Sequence, residues 1–286
     1  MESEALCIPC VVKQCQRIAQ RVSSEAAVFY EVTKLAMELV SQFSLKEPPS
    51  LFTSQIIREV YKLLNSPDPF IDLKREMQEL GKKTAAKIKR IIDASRDPIH
   101  TAIKFAGAGN IIDIGPQDNF DLERTLTDIT FAWDDYKIFK NKLKGSEKLL
   151  YILDNAGEIY FDELLIERLL RLADLKVIMV VKERPILNDA TLKEVKETRL
   201  FDLGEVITTG SGFLGINFQE ASERFLSEYE TADMVIAKGH ANFESLIDCE
   251  RDGFFILKAK CPVVANRLGV KVGDLVFYYS PIKTKE

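Results

Sequence analysis

An apolar run that stops at a carboxylate followed at once by an amide offers two hard oxygen donors at one point of the backbone. Residues 149–153 (Leu-Leu-Tyr-Ile-Leu) stop this way at Asp154 and Asn155, with Ala156, Gly157 and Glu158 beyond them. A second apolar run, residues 176–181, is followed after a short loop by Asn188 and Asp189. Carboxylate and amide oxygens suit Mg²⁺ or Mn²⁺ better than Zn²⁺, so the chemistry these pairs can do is cation-assisted. One such pair alone is better read as a turn or helix cap, because Asx side chains accept backbone amides. Two pairs after neighbouring strands, with Lys238 and Gly239 after a third, converge instead on one sheet edge, where open α/β folds bind ligands.

Other segments carry weaker chemistry. Residues 210–215 (Gly-Ser-Gly-Phe-Leu-Gly) match G-x-G-x-x-G, which raises a nicotinamide or flavin cofactor. That fingerprint needs a helix already begun at its third glycine, and here the helix is expected to start near Asn217. The bare amides around Ser211 and Gly212 can equally cradle a phosphate. In residues 238–244, Lys238 can neutralise a phosphate, and Asn242 or Glu244 can orient a substrate hydroxyl; a helix cap with a solvated lysine is the plainer alternative. His240 is one of two histidines and carries little weight. Cys7-x-x-Cys10 with Cys261 offers a second metal or redox site, against the simpler reading of buried or idle thiols. Lys258 and Lys260 follow the strand 254–257, so one of them can reach the same edge. Gly107, Gly109 and Asn110 lack both a third glycine and a preceding strand.

The elements that must position these residues follow from periodicity. From about Pro9 to Asp93 apolar residues recur at helical spacing, as in Val12, Cys15, Ile18, Ala19 and Val22. Pro48-Pro49 and the prolines at 67 and 69 interrupt the pattern, since proline lacks an amide donor and disfavours helix before it. Residues 98–141 read as helical with a loop at 107–118. From 149 onward strands at 149–153, 177–181, 206–208, 234–237, 254–257 and 275–279 alternate with amphipathic helices, which means βαβ units and a mainly parallel sheet. The expected architecture is a three-layer α/β/α Rossmann-like core, residues 98–286, behind an all-helical subdomain, residues 1–97. The 286 residues carry 39 basic and 44 acidic side chains, well mixed, with a net charge of -5, so a nucleic-acid partner is not expected. No run of 18 apolar residues and no secretory leader is visible, and the five cysteines are odd in number. A cytoplasmic protein without membrane partners is expected.

Taken in order, residues 7–10 (Cys-Ile-Pro-Cys), 109–113 (Gly-Asn-Ile-Ile-Asp), 154–158, 188–191 (Asn-Asp-Ala-Thr), Lys238-Gly239 with 242–244 (Asn-Phe-Glu), and 258–262 (Lys-Ala-Lys-Cys-Pro) resemble the DUF89 family of metal-dependent, damage-control phosphatases, in its stand-alone prokaryotic branch. The resemblance implies a divalent metal (Mn²⁺, Mg²⁺, Co²⁺ or Ni²⁺) held by Asp154, Asn155 and Asp189. It implies a small phosphorylated metabolite surrounded by Asn110, Asp113, Ser211, Lys238, Asn242 and Lys260. Asp154 would attack phosphorus, or would serve with Asp189 to place a water. Where the family commonly has Lys-Gly-Gln-Gly-Asn, this chain has Lys238-Gly239-His240-Ala241-Asn242, losing a glycine and gaining an imidazole. The rival readings are a non-catalytic metal or metabolite sensor and, third, an oxidoreductase using the 210–215 loop.

Overall fold

The computed structural model describes residues 1–109 and 129–282; Asn110 and Asp113 lie outside them. The described helices are α1 (Cys7–Val22), α2 (Ala26–Val40), α3 (Pro49–Leu63), α4 (Ile71–Ala94), α5 (Pro98–Gly107), α6 (Tyr136–Leu143), α7 (Ile159–Leu172), α8 (Leu192–Val195), α9 (Leu200–Leu203), α10 (Glu223–Thr231), α11 (His240–Leu246) and α12 (Pro262–Leu268). The strands are β1 (Phe131–Asp134), β2 (Lys148–Ile152), β3 (Lys176–Val181), β4 (Glu205–Thr208), β5 (Met234–Lys238), β6 (Gly253–Lys258) and β7 (Leu275–Ser280). They form one sheet in the order β1-β7-β6-β5-β2-β3-β4, parallel throughout except between β6 and β7. None of the described helices is long and apolar enough to cross a membrane.

Because the central strands are nearly all apolar, both faces of the sheet must be covered. Side chains alternate along a strand, so Leu149, Tyr151 and Leu153 join one core with α5, α6 and α7, while Leu150 and Ile152 join the opposite core with α10, α11 and α12. The expected three-layer architecture is therefore present. A third core unites α1, α2 and α3 through Cys15, Ile18, Val32, Phe52, Ile56 and Val60, and draws in Ile186 from the loop after β3.

Two local expectations change. The stretch expected to be helical from 98 to 141 contains β1, an edge strand paired only with β7; its four residues are too short to declare a period of two. The helix expected near Asn217 begins at Glu223. Asn217 instead folds an Asx turn, its side chain accepting from Gln219 N at 3.1 Å, and Ser222 caps α10 by accepting from Phe225 N.

α4 links the helical layer to the sheet. Its buried residues Lys74, Gln78, Gly81, Ile88 and Ile92 fall at spacings of three, four or seven and so share one face. Ile88 and Ile92 lie in the sheet core. Gly81 meets the turn before α7, where a Cβ would overlap the carbonyl oxygen of Gly157. Gly81→Ala gains about 1 kcal/mol of helix propensity, but it forces a backbone-to-backbone clash of the kind that costs about 1–3 kcal/mol. The variant is therefore expected to melt several degrees lower, whereas Gly145→Ala, whose Cβ would meet only the Lys142 carbonyl oxygen at 4.0 Å, should melt as the parent does.

Candidate functional site

The chain passes from β2 to β3 and β4 on one side of the sheet and returns to β5 on the other side of β2. The carboxyl ends of β2 and β5 thus flank a topological switch point, which opens a crevice in a doubly wound sheet. Asp154 and Asn155 leave β2 here and Lys238 ends β5. The loop after β3 folds back over the same edge. Ala190 N donates to Asp154 O at 2.8 Å, Ala156 N to Asn188 O at 2.9 Å, and Asn155 and Asp189 form an antiparallel bridge. Two loops far apart in sequence are thereby held as one small ladder. Thr191 and Glu194 then form a reciprocal capping box that starts α8.

Six ionisable side chains are buried around this ladder: Asp154, Glu158, Asp162, Asp189, Lys182 and Lys238. Lys238 Nζ donates to Asp162 Oδ1 at 2.8 Å and stands 3.7 Å from Glu158, and Tyr151 also donates to Asp162. Lys182 Nζ donates to Gly215 O at 2.6 Å and stands 3.7 Å from Asp189, too far for a hydrogen bond. Asp189 Oδ2 is left buried without a donor. Asn155 spends both amide hydrogens on Asp154 Oδ2 and Glu158 Oε1, which leaves its oxygen as the atom it can offer a cation. Four carboxylates face two ammonium groups, a formal excess of two negative charges, with Lys260 acting on them electrostatically.

Burial and this excess shift the protonation equilibria. Burial, then Asp189, pushes the Asp154 carboxyl up to about 6 despite Lys260 and Lys238. Burial raises Glu158 to about 7 against Lys238 and Asp189 to about 6 against Lys182. Burial also holds Lys182 below the ordinary lysine range, whereas Asp162 and Glu158 overcome burial and hold Lys238 above it. No set of three or more His, Cys, Asp or Glu among the described residues forms a cage able to hold a metal ion by itself. The donors present fit a hard divalent cation that keeps several waters, with Asp154, Asp189 and the Asn155 oxygen as protein ligands.

The remaining expected residues fall into two groups. Ser211 is buried, Gly212 packs against Arg184, and Gly239 passes Asp154 so closely, at φ +85°, that any Cβ would overlap its carboxylate. Asn242 lies in the crevice wall as a strut: its amide donates to Leu153 O and Lys238 O, tying α11 to the ends of β2 and β5. Glu244 is turned toward His240, at 3.2 Å, and both Cys7 and Cys10 feel it and Cys261 electrostatically. The G-x-G-x-x-G run follows β4, the edge strand, and no helix begins until Glu223, so it lacks the setting of a dinucleotide fingerprint.

Residues 4–276 match the damage-control phosphatase ARMT1-like domain. The chain belongs to this family. It is 36% identical over 283 residues to a damage-control phosphatase of Pyrococcus horikoshii, covering 96% of this chain and 97% of that protein. It is 30% identical over 286 residues to a damage-control phosphatase of Archaeoglobus fulgidus, covering 96% and 98%. The crystal structure of a DUF89-family protein from Pyrococcus horikoshii superposes with a TM-score of 0.91 at 35% identity, covering 98% of this chain and 99% of that one. The resemblance noted in the sequence is thus borne out along the chain.

Several residues of the crevice in this family member were not singled out from sequence. Lys182 directly follows β3 and Lys238 ends β5, each a lysine closing an apolar run. Glu158, the N-cap of α7, and Asp162 in its first turn stand four residues apart, the interval that stacks side chains on one helical face. The helical layer also reaches three site loops. Ser54 Oγ accepts from Leu214 N at 2.8 Å, Tyr61 Oη accepts from Leu187 N at 2.9 Å, and Gln78 Oε1 accepts from Gly157 N at 2.7 Å while its amide donates to Glu194 O. Leu187, next to Asn188-Asp189, has φ +45°, a strained value for a bulky residue that Tyr61 helps to hold.

The raised carboxyls have a signed consequence. Because the folded values lie above the ordinary carboxylate range near 4, folding the metal-free protein is penalised progressively as pH rises from about 4 to about 7, and fully above that. A cation removes the penalty, and below it must displace protons. Calorimetry is expected to find a larger rise in Tm on adding Mg²⁺ or Mn²⁺ at about pH 8 than at about pH 5.5. Equal shifts at both would exclude these carboxylates as ligands.

Proposed function

We propose that this protein is a divalent-cation-dependent phosphatase that hydrolyses phosphate monoesters of small metabolites, such as sugar phosphates or damaged phosphometabolites. The observation that carries the reading is the buried pair Asp154 and Asp189 at the switch point, with an unpartnered oxygen on Asp189 and four carboxylates buried beside two buried lysines. Membership of a family in which two similar curated proteins are named damage-control phosphatases supports the same reaction class. Free cysteines, five among the described residues, fit a reducing, cytoplasmic setting.

A phosphate monoester is a dianion, so its charge must be met before phosphorus can be attacked. A cation held by Asp154, Asn155 and Asp189 would supply Lewis-acid polarisation of a phosphoryl oxygen. Lys260, whose side chain is exposed and whose charge acts on Asp154, Glu158 and Asp189, would meet the substrate's phosphate at the open side of the crevice, while Lys238 is held on Asp162 and stiffens the wall. The loop amide at Gly212 can donate to a phosphate oxygen, while Ser211 N is turned to Thr209 Oγ1 at 3.4 Å and shapes the loop. Asp154 either attacks phosphorus, breaking the ester bond and forming an aspartyl phosphate, or acts with Asp189 to orient the attacking water; hydroxylamine trapping of the acyl phosphate separates the two.

The test is phosphate release from an aryl phosphate and a panel of sugar phosphates by metal-stripped protein, before and after each divalent cation. Asp154→Asn and Asp189→Asn are expected to lose turnover by about 100-fold or more. Their metal-free Tm should hold or rise, because each removes a buried charge that burial disfavours. Cation binding with no turnover on any substrate would move the sensor reading to the front.

A further inference from the structure

Beside the crevice, three cysteines from opposite ends of the sequence lie within electrostatic reach of one another. Cys7 and Cys10 lie in the first turn of α1, and Cys261 is the N-cap of α12, one residue after Lys260. Cys7 and Cys261 pack against the same apolar cluster. Cys261 is the strongest electrostatic neighbour of the Cys10 thiol, which is exposed. Cys261 Sγ stands 3.5 Å from His240 Nε2, and the same nitrogen is 3.2 Å from Glu244 Oε1. His240 Nδ1 is buried and unpartnered.

These contacts make the three thiols unequal. Burial works against charge on His240, yet Cys261 and Glu244 hold it up at about 9, so the ring is an imidazolium. That cation draws Cys261 below the ordinary thiol range in spite of burial. Cys7 and Cys10 are pushed up, Cys7 by burial and Cys10, whose surface is exposed, by partial desolvation together with Cys261 and Glu244. A thiol held below the ordinary range by a neighbouring imidazole, beside thiols held above it, is the arrangement of a reactive cysteine with a resolving partner. Cys15, sealed in the helical core and raised to about 12, has none of it.

We propose that Cys261 is a hydroperoxide-reactive thiol and Cys10 the thiol that resolves it, so that oxidation ties α1 to the loop carrying Lys260. The Cys261 thiolate attacks the distal oxygen of the hydroperoxide; the O–O bond breaks, and the leaving alkoxide or hydroxide takes the proton of His240. The sulfur of Cys10 then displaces the hydroxyl of the sulfenic acid, which departs as water with the proton of Cys10. Two thiols are oxidised by two electrons and one hydroperoxide is reduced. The bond would constrain Lys260 and, through His240, the turn at Gly239 against Asp154. This effect on turnover rests on the phosphatase reading; the thiol chemistry does not.

The experiment exposes the reduced full chain to one equivalent of hydrogen peroxide, alkylates the remaining thiols and maps the peptides by mass spectrometry. A dithiothreitol-reversible Cys10–Cys261 cross-link is expected. Cys10→Ser should stop at a sulfenic acid on Cys261 that a cyclic 1,3-diketone captures, and His240→Gln should slow Cys261 oxidation several-fold. A Cys7–Cys10 or Cys7–Cys261 bond, oxidation of Cys261 no faster than of Cys15, or a stoichiometric soft metal bound by these thiols would overturn the proposal. Turnover that falls on oxidation and returns on reduction supports the constraint on Lys260, and unchanged turnover with the bond formed overturns it. A reduced protein inactive on every substrate counts against the phosphatase reading, while the cross-link is still read by mass.

Discussion

Charge buried without water is the constraint on which this structure turns. Taking a carboxylate out of water costs several kcal/mol even after relaxation, and the cost is recovered only through close partners of opposite sign. Around the switch point four carboxylates share two ammonium groups, and each hydrogen bond nearby limits the shortfall. Asn155 serves two carboxylates at once, Tyr151 and Lys238 converge on Asp162, and Lys182 is anchored by the Gly215 carbonyl. These donors leave the second oxygens of both Asp162 and Asp189 unmet, and the one on Asp189, across the ladder from Asp154 and Asn155, is the place where the site asks for a cation.

The helical layer is part of the same solution. It supplies three contacts to the loops that bear or border Asp154, Asp189 and the glycine run, each by a neutral side chain that matches a backbone amide. Backbone amides in such turns cannot be left dry and unpaired. Leu187 is held in a conformation that a leucine does not choose, and the strain sits one residue from the Asn188-Asp189 pair. The bundle is thus a wall of the site rather than an appendage.

Much of this was legible in the sequence. Continuous apolar strands and proline-broken helical periods announce the three layers, because burial on both faces erases polar alternation while helices keep theirs. The pairs after β2 and β3 were legible because an Asx residue at a strand's carboxyl end has few structural reasons to recur in the next unit. β1 was hidden by its brevity, and the late start of α10 by an Asx turn that competes with helix at Asn217. The buried lysine Lys182 and the strut role of Asn242 were not legible, since an ammonium or an amide looks the same in sequence whether it meets solvent, substrate or a carbonyl. Glu244, expected to orient substrate, faces His240 because that imidazole replaces the glutamine usual in the family's loop.

Consider finally Lys74, sealed in α4 and ion-paired with Asp68 at 2.7 Å and with Glu194 at 3.3 Å. One partner is six residues away and the other more than a hundred further along the chain. During synthesis the amino-terminal helices emerge first, but the face of α4 bearing Lys74, Gln78 and Gly81 has only Asp68 to meet until residues 157 and 194 have followed. Until then that face stays wet, and the bundle waits as a half-built interface. The crevice and the helices around it are completed together and late, so a chain released early would carry its first helices without the surface they are shaped to meet.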